Sequence, residues 1–325
     1  MQYQSPYEGS VANACSGAEP SGGVSRRNTR LRGQSIIEYV LIAAVIGLVV
    51  IFAGPQVSGA IRNQFNQVTN TVDSGTDGDS FMSAEEKAYR EAMKTLAGKE
   101  AKDWTLDEQK AAATDIAKNG ASSVVYAKAK AAVDAGTKWS VKLTTGETME
   151  YRIIGINHDD LADGSGKAGL TFLAATSIGN HRMNSADTNV GGWEASELRT
   201  KMNSGEIWNL MPSGLQNEIR AVKKLTDNLG GGKAGTPSAT VDRLFSLSTT
   251  EIWGDIDSDG SQYEYYHNRG VTKDDWYKAT VGPGFCTRSV DSSKSNSFRY
   301  AISSGNSWNV HEASRSDYVC PAFCF

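Results

Sequence analysis

The longest apolar segment of the chain runs from Ile36 to Ala53, and one charged residue, Glu38, interrupts it. A helix of this length rises about 27 Å at 1.5 Å per residue, which is close to the ~30 Å hydrocarbon core of a bilayer. Apolar residues then recur about every fourth position, which predicts that the helix continues to residue 68 as an amphipathic one. These residues are Val57, Ile61, Phe65 and Val68.

Residues 69–82 are polar and contain glycine, a composition typical of a flexible linker. Three short helical patterns follow within residues 83–137, starting at Ser83, Thr105 and Val124. This region contains much alanine and lysine but few large apolar side chains. We therefore interpret it as a helical spacer that packs against its neighbours.

From residue 138 onward the pattern becomes mixed. Trp139–Leu143 and Met149–Ile154 alternate around a Thr-Thr-Gly turn, which predicts a hairpin. Further strands are predicted at Leu170–Ala175 and Leu244–Ser248. Short helices are predicted after Trp193, with Leu198 and Met202 inward, and from Pro212, with Leu215, Ile219 and Val222 inward. Residues 138–325 therefore predict an α+β domain with long irregular loops.

The charge pattern gives an orientation. Four arginines (Arg26, Arg27, Arg30, Arg32) precede the apolar segment, and no acid lies between Ser25 and Glu38. By the positive-inside rule the leader stays in the cytoplasm and the rest is exported. Without residues 1–33 the net charge is about −6. This argues against nucleic acid as a partner of the exported part.

The sequence around Gly33, followed by Gln34-Ser35-Ile36-Ile37-Glu38-Tyr39, resembles the processing site of Flp or Tad type IV pilins. The resemblance implies that a prepilin peptidase cuts between Gly33 and Gln34 and removes residues 1–33. Residues 34–68 would then form the transmembrane and assembly helix. Its partners would be the membrane and other pilin subunits.

The same resemblance assigns roles to Glu38 and Tyr39 in pilus assembly. A carboxylate in a lipid-facing helix costs at least about 2.5 kcal/mol, so Glu38 needs a partner. In pilins the acid at this position pairs with the new α-amino group, here that of Gln34, of a neighbouring subunit. The alternative is a signal anchor or a secretory signal, for which Ala53-Gly54-Pro55 offers only a poor cleavage site.

A second resemblance covers residues 138–325. Its motifs are Gly191-Gly192-Trp193-Glu194, Leu244-Phe245, Cys286-Thr287-Arg288-Ser289 and the C-terminal Val319-Cys320-Pro321-Ala322-Phe323. They resemble a family of bacterial surface domains of unknown function. Such domains are similar to the fold of C-type lectins and formylglycine-generating enzymes. That fold carries both binding proteins and enzymes, so it does not decide the function.

Cysteines stand at two positions where this family has other residues. Cys286 and Cys320 fall in segments expected to be neighbouring strands, and in an exported protein the resemblance implies a disulfide between them. Three reduced buried thiols and a Cys286–Cys324 pairing are the alternatives.

The segment between these cysteines is rich in Ser, Asn and Asp with interspersed aromatic residues, a mixture that paratopes favour. It also resembles the variable proteins that diversity-generating retroelements target. We therefore predict contacts here with an external glycan or protein ligand, and an ordinary polar loop is the alternative. The predicted ligand-binding residues are Ser295, Asn296, Phe298, Tyr300, Asn306, Trp308 and Asn309.

Asp255, Asp257 and Asp259 begin a D-x-D-x-D-G pattern typical of calcium loops, but Tyr266 stands at the twelfth position, where an EF-hand has glutamate. A solvated acidic turn is the alternative. The four histidines are scattered, and no catalytic motif is present. We therefore expect no enzyme and no required cofactor, with calcium as the single candidate.

Together these patterns predict a large minor or tip pilin of the Flp type. It would span the cell membrane once, enter an extracellular pilus and display a C-terminal ligand-binding domain. A membrane-anchored receptor or sensor that does not polymerise is the first alternative. An exported enzyme similar to formylglycine-generating enzymes is the second.

Overall fold

A computed structural model of the chain describes residues 83–254, 258–274, 284–301 and 309–325. The residues that the structure describes belong to one compact unit, Phe81–Phe325. The predicted cleavage site at Gly33 and Gln34 and the assembly residues Glu38 and Tyr39 lie outside the described residues. Within the described ranges, no helix has both the length and the apolar character needed to cross a membrane.

Three helices open the described region: α1 (Ala84–Gly98), α2 (Leu106–Asn119) and α3 (Tyr126–Ala135). Each lies where its pattern predicts one. Thr105 and Glu108 form a reciprocal capping box that starts α2. Gly136, in the left-handed conformation at φ 65°, ends α3.

A five-stranded antiparallel sheet follows, in the order β1-β2-β3-β12-β7. Trp139 pairs with Tyr151 in the predicted hairpin. α2 lies so close to this sheet that a Cβ on Gly169 would be 1.8 Å from the carbonyl oxygen of Ala113. The three helices and the sheet thus share one hydrophobic core. The strands are β1 (Lys138–Lys142), β2 (Thr148–Ile156), β3 (Leu170–Ala174), β7 (Leu244–Phe245) and β12 (Ala322–Cys324).

Smaller sheets and short helices complete the unit. The sheets pair β4 (Asn180–His181) with β11 (Asp317–Tyr318), β5 (Val222–Thr226) with β6 (Ser238–Asp242), and β9 (Ser297–Ala301) with both β8 (Phe285–Val290) and β10 (Asn309–Glu312). The helices are α4 (Glu197–Ser204), α5 (Glu206–Leu210), α6 (Ser213–Glu218), α7 (Thr249–Trp253) and α8 (Glu264–His267). The α+β class of this region is confirmed.

Two predicted elements are shorter than expected. The helix that follows Pro212 ends at Glu218, because Ile219 is already extended and Val222 begins β5. The strand predicted from Leu244 ends at Phe245, since Ser248 caps the N-terminus of α7 instead.

Candidate binding face

The turn between β8 and β9 carries the first two predicted ligand-binding residues. Ser295 is exposed and Asn296 half-buried. The Asn296 amide donates to Asp187 Oδ2 at 2.8 Å, which fixes this turn to the loop after β4. Asp291 Oδ1 accepts from the backbone N–H of Ser293 at 2.9 Å and closes the turn locally.

Asn189 joins this turn to two further loops. Its fully buried side chain donates to the carbonyls of Lys294 and Ser297, both at 2.8 Å, and accepts from the backbone N–H of Gly231 at 2.8 Å. Its own N–H donates to the Ser295 carbonyl at 3.0 Å. We call the surface formed by residues 185–191, 227–237 and 291–297 the three-loop face.

Two exposed apolar side chains stand on the three-loop face. Val190 is 61% exposed and Leu229 is 50% exposed. The Gly191 N–H donates to the Leu229 carbonyl at 3.1 Å. The loop segments that carry Val190 and Leu229 therefore lie side by side. Exposed apolar groups beside Ser295 and Asn296 give the face both contact area and adaptable hydrogen-bonding groups.

The β5–β6 hairpin that carries the 227–237 loop has an inverted pattern. Its outward residues include Leu225 and Val241, whereas Lys224, Thr226 and Asp242 face inward and are buried. The sequence reasoning missed this hairpin. Val222, its first residue, was instead assigned to the helix after Pro212, and the sequence of β5, Val-Lys-Lys-Leu-Thr, does not alternate between apolar and polar residues.

Beneath the hairpin lies a buried ion network. Lys224 Nζ is 2.5 Å from Asp159 Oδ1 and 2.5 Å from Glu251 Oε1. The Arg288 guanidinium donates to both oxygens of Glu251, at 2.5 and 2.8 Å. It also reaches back to Thr226 Oγ1 at 2.8 Å. The network therefore holds the polar side of the hairpin against α7 and β8.

In this network the ion pairs shift the pKa values of the buried groups more strongly, taken together, than burial does. Burial alone raises the pKa of Glu251, but Arg288 and Lys224 together hold that pKa below its usual value. Burial likewise raises the pKa of Asp159, but Lys224 and His158, with the hydrogen bonds from Lys224 and Thr171, together hold that pKa below its usual value. For Lys224 the signs are reversed, because burial lowers its pKa and the two carboxylates raise it. All three groups are thus charged at neutral pH.

The remaining predicted ligand-binding residues do not join the three-loop face. Phe298 is fully buried and Tyr300 is only 8% exposed, so the prediction that they contact a ligand is wrong for this structure. Both lie in β9 and belong to the hydrophobic core. The centroid of the Tyr300 ring is 4.0 Å from that of the His311 ring, and the two rings stack. Asn306 and Trp308 lie outside the described residues, and only the backbone of Asn309 is described, paired with Tyr300.

The predicted Cys286–Cys320 disulfide is absent, and these two thiols and Cys324 are free and buried. Cys286 lies in β8, whose neighbour is β9, whereas Cys320 lies between β11 and β12. The two residues are therefore not on neighbouring strands. The alternative of three reduced thiols describes the structure.

The calcium prediction is untested. Asp255 and Asp257 lie outside the described residues. Asp259 is buried, and its Oδ2 accepts from Ser289 Oγ at 2.5 Å. Across the described ranges, no group of three His, Cys, Asp or Glu side chains could hold a metal ion.

In the comparisons with known proteins, two family models match two separate parts of the chain. Residues 32–72 match the family model of the Flp/Fap pilin component. Residues 168–325 match the model of a domain of unknown function, DUF6273. No curated protein and no solved structure matches the chain. The matches support a pilin N-terminus on a membrane-associated, pilus-related surface protein, and they give the resemblance to lectins and retroelement-targeted proteins no support.

Proposed function

We propose that this chain is a minor or tip pilin that carries a ligand-binding unit, residues 81–325, on an Flp-type assembly helix. The observation that carries the first part is the match of residues 32–72 to the pilin component, which includes Gly33, Gln34 and Glu38. A major pilin needs little beyond its helix, so a separate unit with its own core suggests a second task.

The second part of the proposal assigns that task to the three-loop face. Isolated exposed apolar residues are ordinary on protein surfaces, but Val190 and Leu229 lie together on loops that the buried Asn189 side chain joins by hydrogen bonds. A preorganised surface loses little conformational entropy when it binds. A glycan or protein outside the cell is the ligand class that we propose.

Assembly and binding can be tested separately. Cells that make the full chain are sheared, and the protein is sought in the filament fraction and in the membrane fraction. We expect it in filaments. Its restriction to membranes would instead favour the non-polymerising receptor or sensor.

For binding, Val190→Ser and Leu229→Ser are combined in one chain. We expect surface attachment to be lost while the amount in filaments stays unchanged. Val124→Ser is the matched control, because Val124 is an exposed valine outside the three-loop face. Attachment that is equal in all three proteins would remove the three-loop face from the proposal.

The lectin-like fold and the diversification of the 286–320 segment remain part of this proposal. Their support is the motif series around Trp193, Leu244 and Arg288 and the Ser/Asn-rich composition. A template repeat next to the coding region would establish diversification. The exported-enzyme alternative requires an activity that is lost when Cys320 or Cys324 is replaced in a folded protein.

A further inference from the structure

Lys224 contacts two carboxylates at once in the buried ion network. Its Nζ is 2.5 Å from Asp159 Oδ1 and 2.5 Å from Glu251 Oε1. The Lys224 side chain is 3% exposed, and the centroids of the Phe245 and Tyr263 rings lie 4.4 and 5.3 Å from Nζ. An amine and a carboxyl group are thus held in contact where water is excluded, which is the arrangement that promotes a reaction between them.

The lysine nitrogen also lies close to a carboxyl carbon. Because a carboxyl C–O bond is about 1.2 Å long, Asp159 Cγ is within about 3.7 Å of Lys224 Nζ. Atoms that are positioned to react are about 3–3.5 Å apart. A small shift of either side chain therefore converts the ion pair into a geometry for attack.

The two carboxylates are held by different partners, which separates their roles. The Arg288 guanidinium binds both oxygens of Glu251, at 2.5 and 2.8 Å, so Glu251 keeps its negative charge. Asp159 Oδ2 instead accepts from neutral groups, from Thr171 Oγ1 at 2.6 Å and from the Tyr263 hydroxyl at 2.9 Å. Donors in this position stabilise negative charge that develops on Oδ2 during an attack on Cγ. Asp159 is thus the better acceptor and Glu251 the better base.

We propose that Lys224 and Asp159 form an amide, an intramolecular isopeptide bond, with Glu251 as the catalytic base. A proton moves from Nζ to Oδ1 along their hydrogen bond. The neutral amine then attacks Cγ, so that the N–C bond forms and an electron pair of the C–Oδ2 double bond moves onto Oδ2. Glu251 takes a proton from the nitrogen and passes it to the hydroxyl at Oδ1. The C–Oδ1 bond breaks, the C–Oδ2 double bond re-forms, and one water leaves.

The reaction keeps the charges of the interior balanced. Two cations and two anions are present before it, and the Glu251–Arg288 pair remains beside a neutral amide after it. Since each buried ion is costly to desolvate, the conversion of one ion pair into an amide relieves that cost. Molecules that have not reacted keep the ion network described above. The proposal does not depend on pilus assembly or on the three-loop face.

The test is peptide mapping of the full chain, purified in detergent, denatured and digested with trypsin. We expect a branched peptide that joins residues 153–167 to residues 224–233 and is lighter by one water than the two peptides together. Cleavage after Lys224 should be blocked, and fragment spectra should place the bond at Asp159. Two separate peptides with cleavage after Lys224, or a bond from Lys224 to Glu251, would overturn the proposal.

A second lysine–aspartate pair in the chain is the matched control. Lys167 Nζ is 2.9 Å from Asp160 Oδ1, but these side chains are 48% and 66% exposed. Trypsin should cut after Lys167, and no water should be lost from this pair. Amide formation to the same extent at Lys167 and Lys224 would show that the buried site has no special reactivity, and this would also overturn the proposal.

Tyr263→Phe tests the mechanism, because it keeps an aromatic ring beside Lys224 and removes the hydroxyl that donates to Oδ2. The linked fraction is followed with time after a pulse of isotope-labelled amino acids. We expect the bond to form roughly 100-fold more slowly than in the unchanged chain, the effect of removing one donor to a developing oxyanion. Tryptophan fluorescence checks that the variant is folded. Equal rates in the two proteins would contradict the proposed route through Oδ2.

Discussion

At the scale of single residues, Glu251 is the most consequential side chain, because its carboxylate lies between two buried cations. Glu251→Gln leaves Lys224 and Arg288 facing each other with one anion, Asp159, in contact with Lys224. Removing one partner of a buried ion pair costs about 3–5 kcal/mol. We expect the free energy of unfolding to fall by that amount in urea titrations followed by tryptophan fluorescence.

The matched control makes the same substitution at a partly exposed pair. Glu108→Gln removes the ion pair with Lys99 but keeps a side chain that can complete the capping box with Thr105. Its cost should be below about 1 kcal/mol. Equal losses in the two variants would show that the buried network has no special role in stability.

The three thiols give a second prediction at this scale. Burial raises the pKa of Cys320 to about 12 and raises that of Cys286 further. Both thiols are then protonated and unreactive in the folded protein. Iodoacetamide should label them only after denaturation, and peptide masses should not change on reduction. A linked Cys286–Cys320 peptide in non-reduced digests would contradict this prediction and support the disulfide that the sequence analysis expected.

At the scale of elements, the loop of the β5–β6 hairpin depends on a close approach at Gly230. Gly230 and Gly231 have similar positive φ angles, 61° and 68°. A Cβ on Gly230 would be 1.9 Å from the Asn189 carbonyl oxygen, whereas one on Gly231 would be 3.4 Å from Val190 Cγ2. Substituting Gly231 therefore tests backbone strain alone, whereas substituting Gly230 tests backbone strain together with a steric clash.

Gly231→Ala should cost about 1–2 kcal/mol for the left-handed conformation alone. Gly230→Ala should cost more, because the loop must also move away from Asn189. The measurement is urea unfolding together with limited proteolysis of the 227–237 loop. Equal costs and equal cleavage rates would contradict the described packing of the three-loop face.

The same hairpin shows where prediction from the sequence fails. Helices α1 to α3 were predictable because their caps and apolar spacing are local, as at Thr105 and Gly136. The β5–β6 hairpin was not, because its inward residues include the polar Lys224, Thr226 and Asp242, whereas Leu225 and Val241 face outward. Only the distant carboxylates of Asp159 and Glu251 make Lys224 an inward residue. Phe298 was misassigned for a related reason, since composition alone does not tell which residues of a polar segment face the core.

At the scale of the whole molecule, the buried network predicts sensitivity to acid. The pKa values of Asp159 and Glu251 lie below their usual values of about 4. A lowered pKa contributes stability that is present above the unfolded-state value and is lost as the pH falls toward the folded-state value. The free energy of unfolding should therefore decline steadily below about pH 4. Urea titrations from pH 7 to pH 3 measure this.

The control for the acid prediction is Asp103→Asn, which changes an exposed carboxylate outside the network. It should keep the same pH dependence as the unchanged protein. Glu251→Gln, by contrast, should show a flatter profile, because one of the two responsible carboxylates is gone. Parallel profiles for all three proteins would assign acid sensitivity to other groups.

The last prediction concerns Glu38, which lies in the segment that matches the pilin component, and it addresses how subunits assemble into a filament. If cleavage after Gly33 frees an ammonium on Gln34, Glu38 of a neighbouring subunit can neutralise it where water is scarce and the attraction is strong. Glu38→Ala should then be synthesised and cleaved normally but be depleted from sheared filaments. N-terminal sequencing checks cleavage, and quantitative blotting checks incorporation. Ser35→Ala, in the same segment but without a charge, should assemble normally, so full incorporation of Glu38→Ala would show that the helix packs without this pairing.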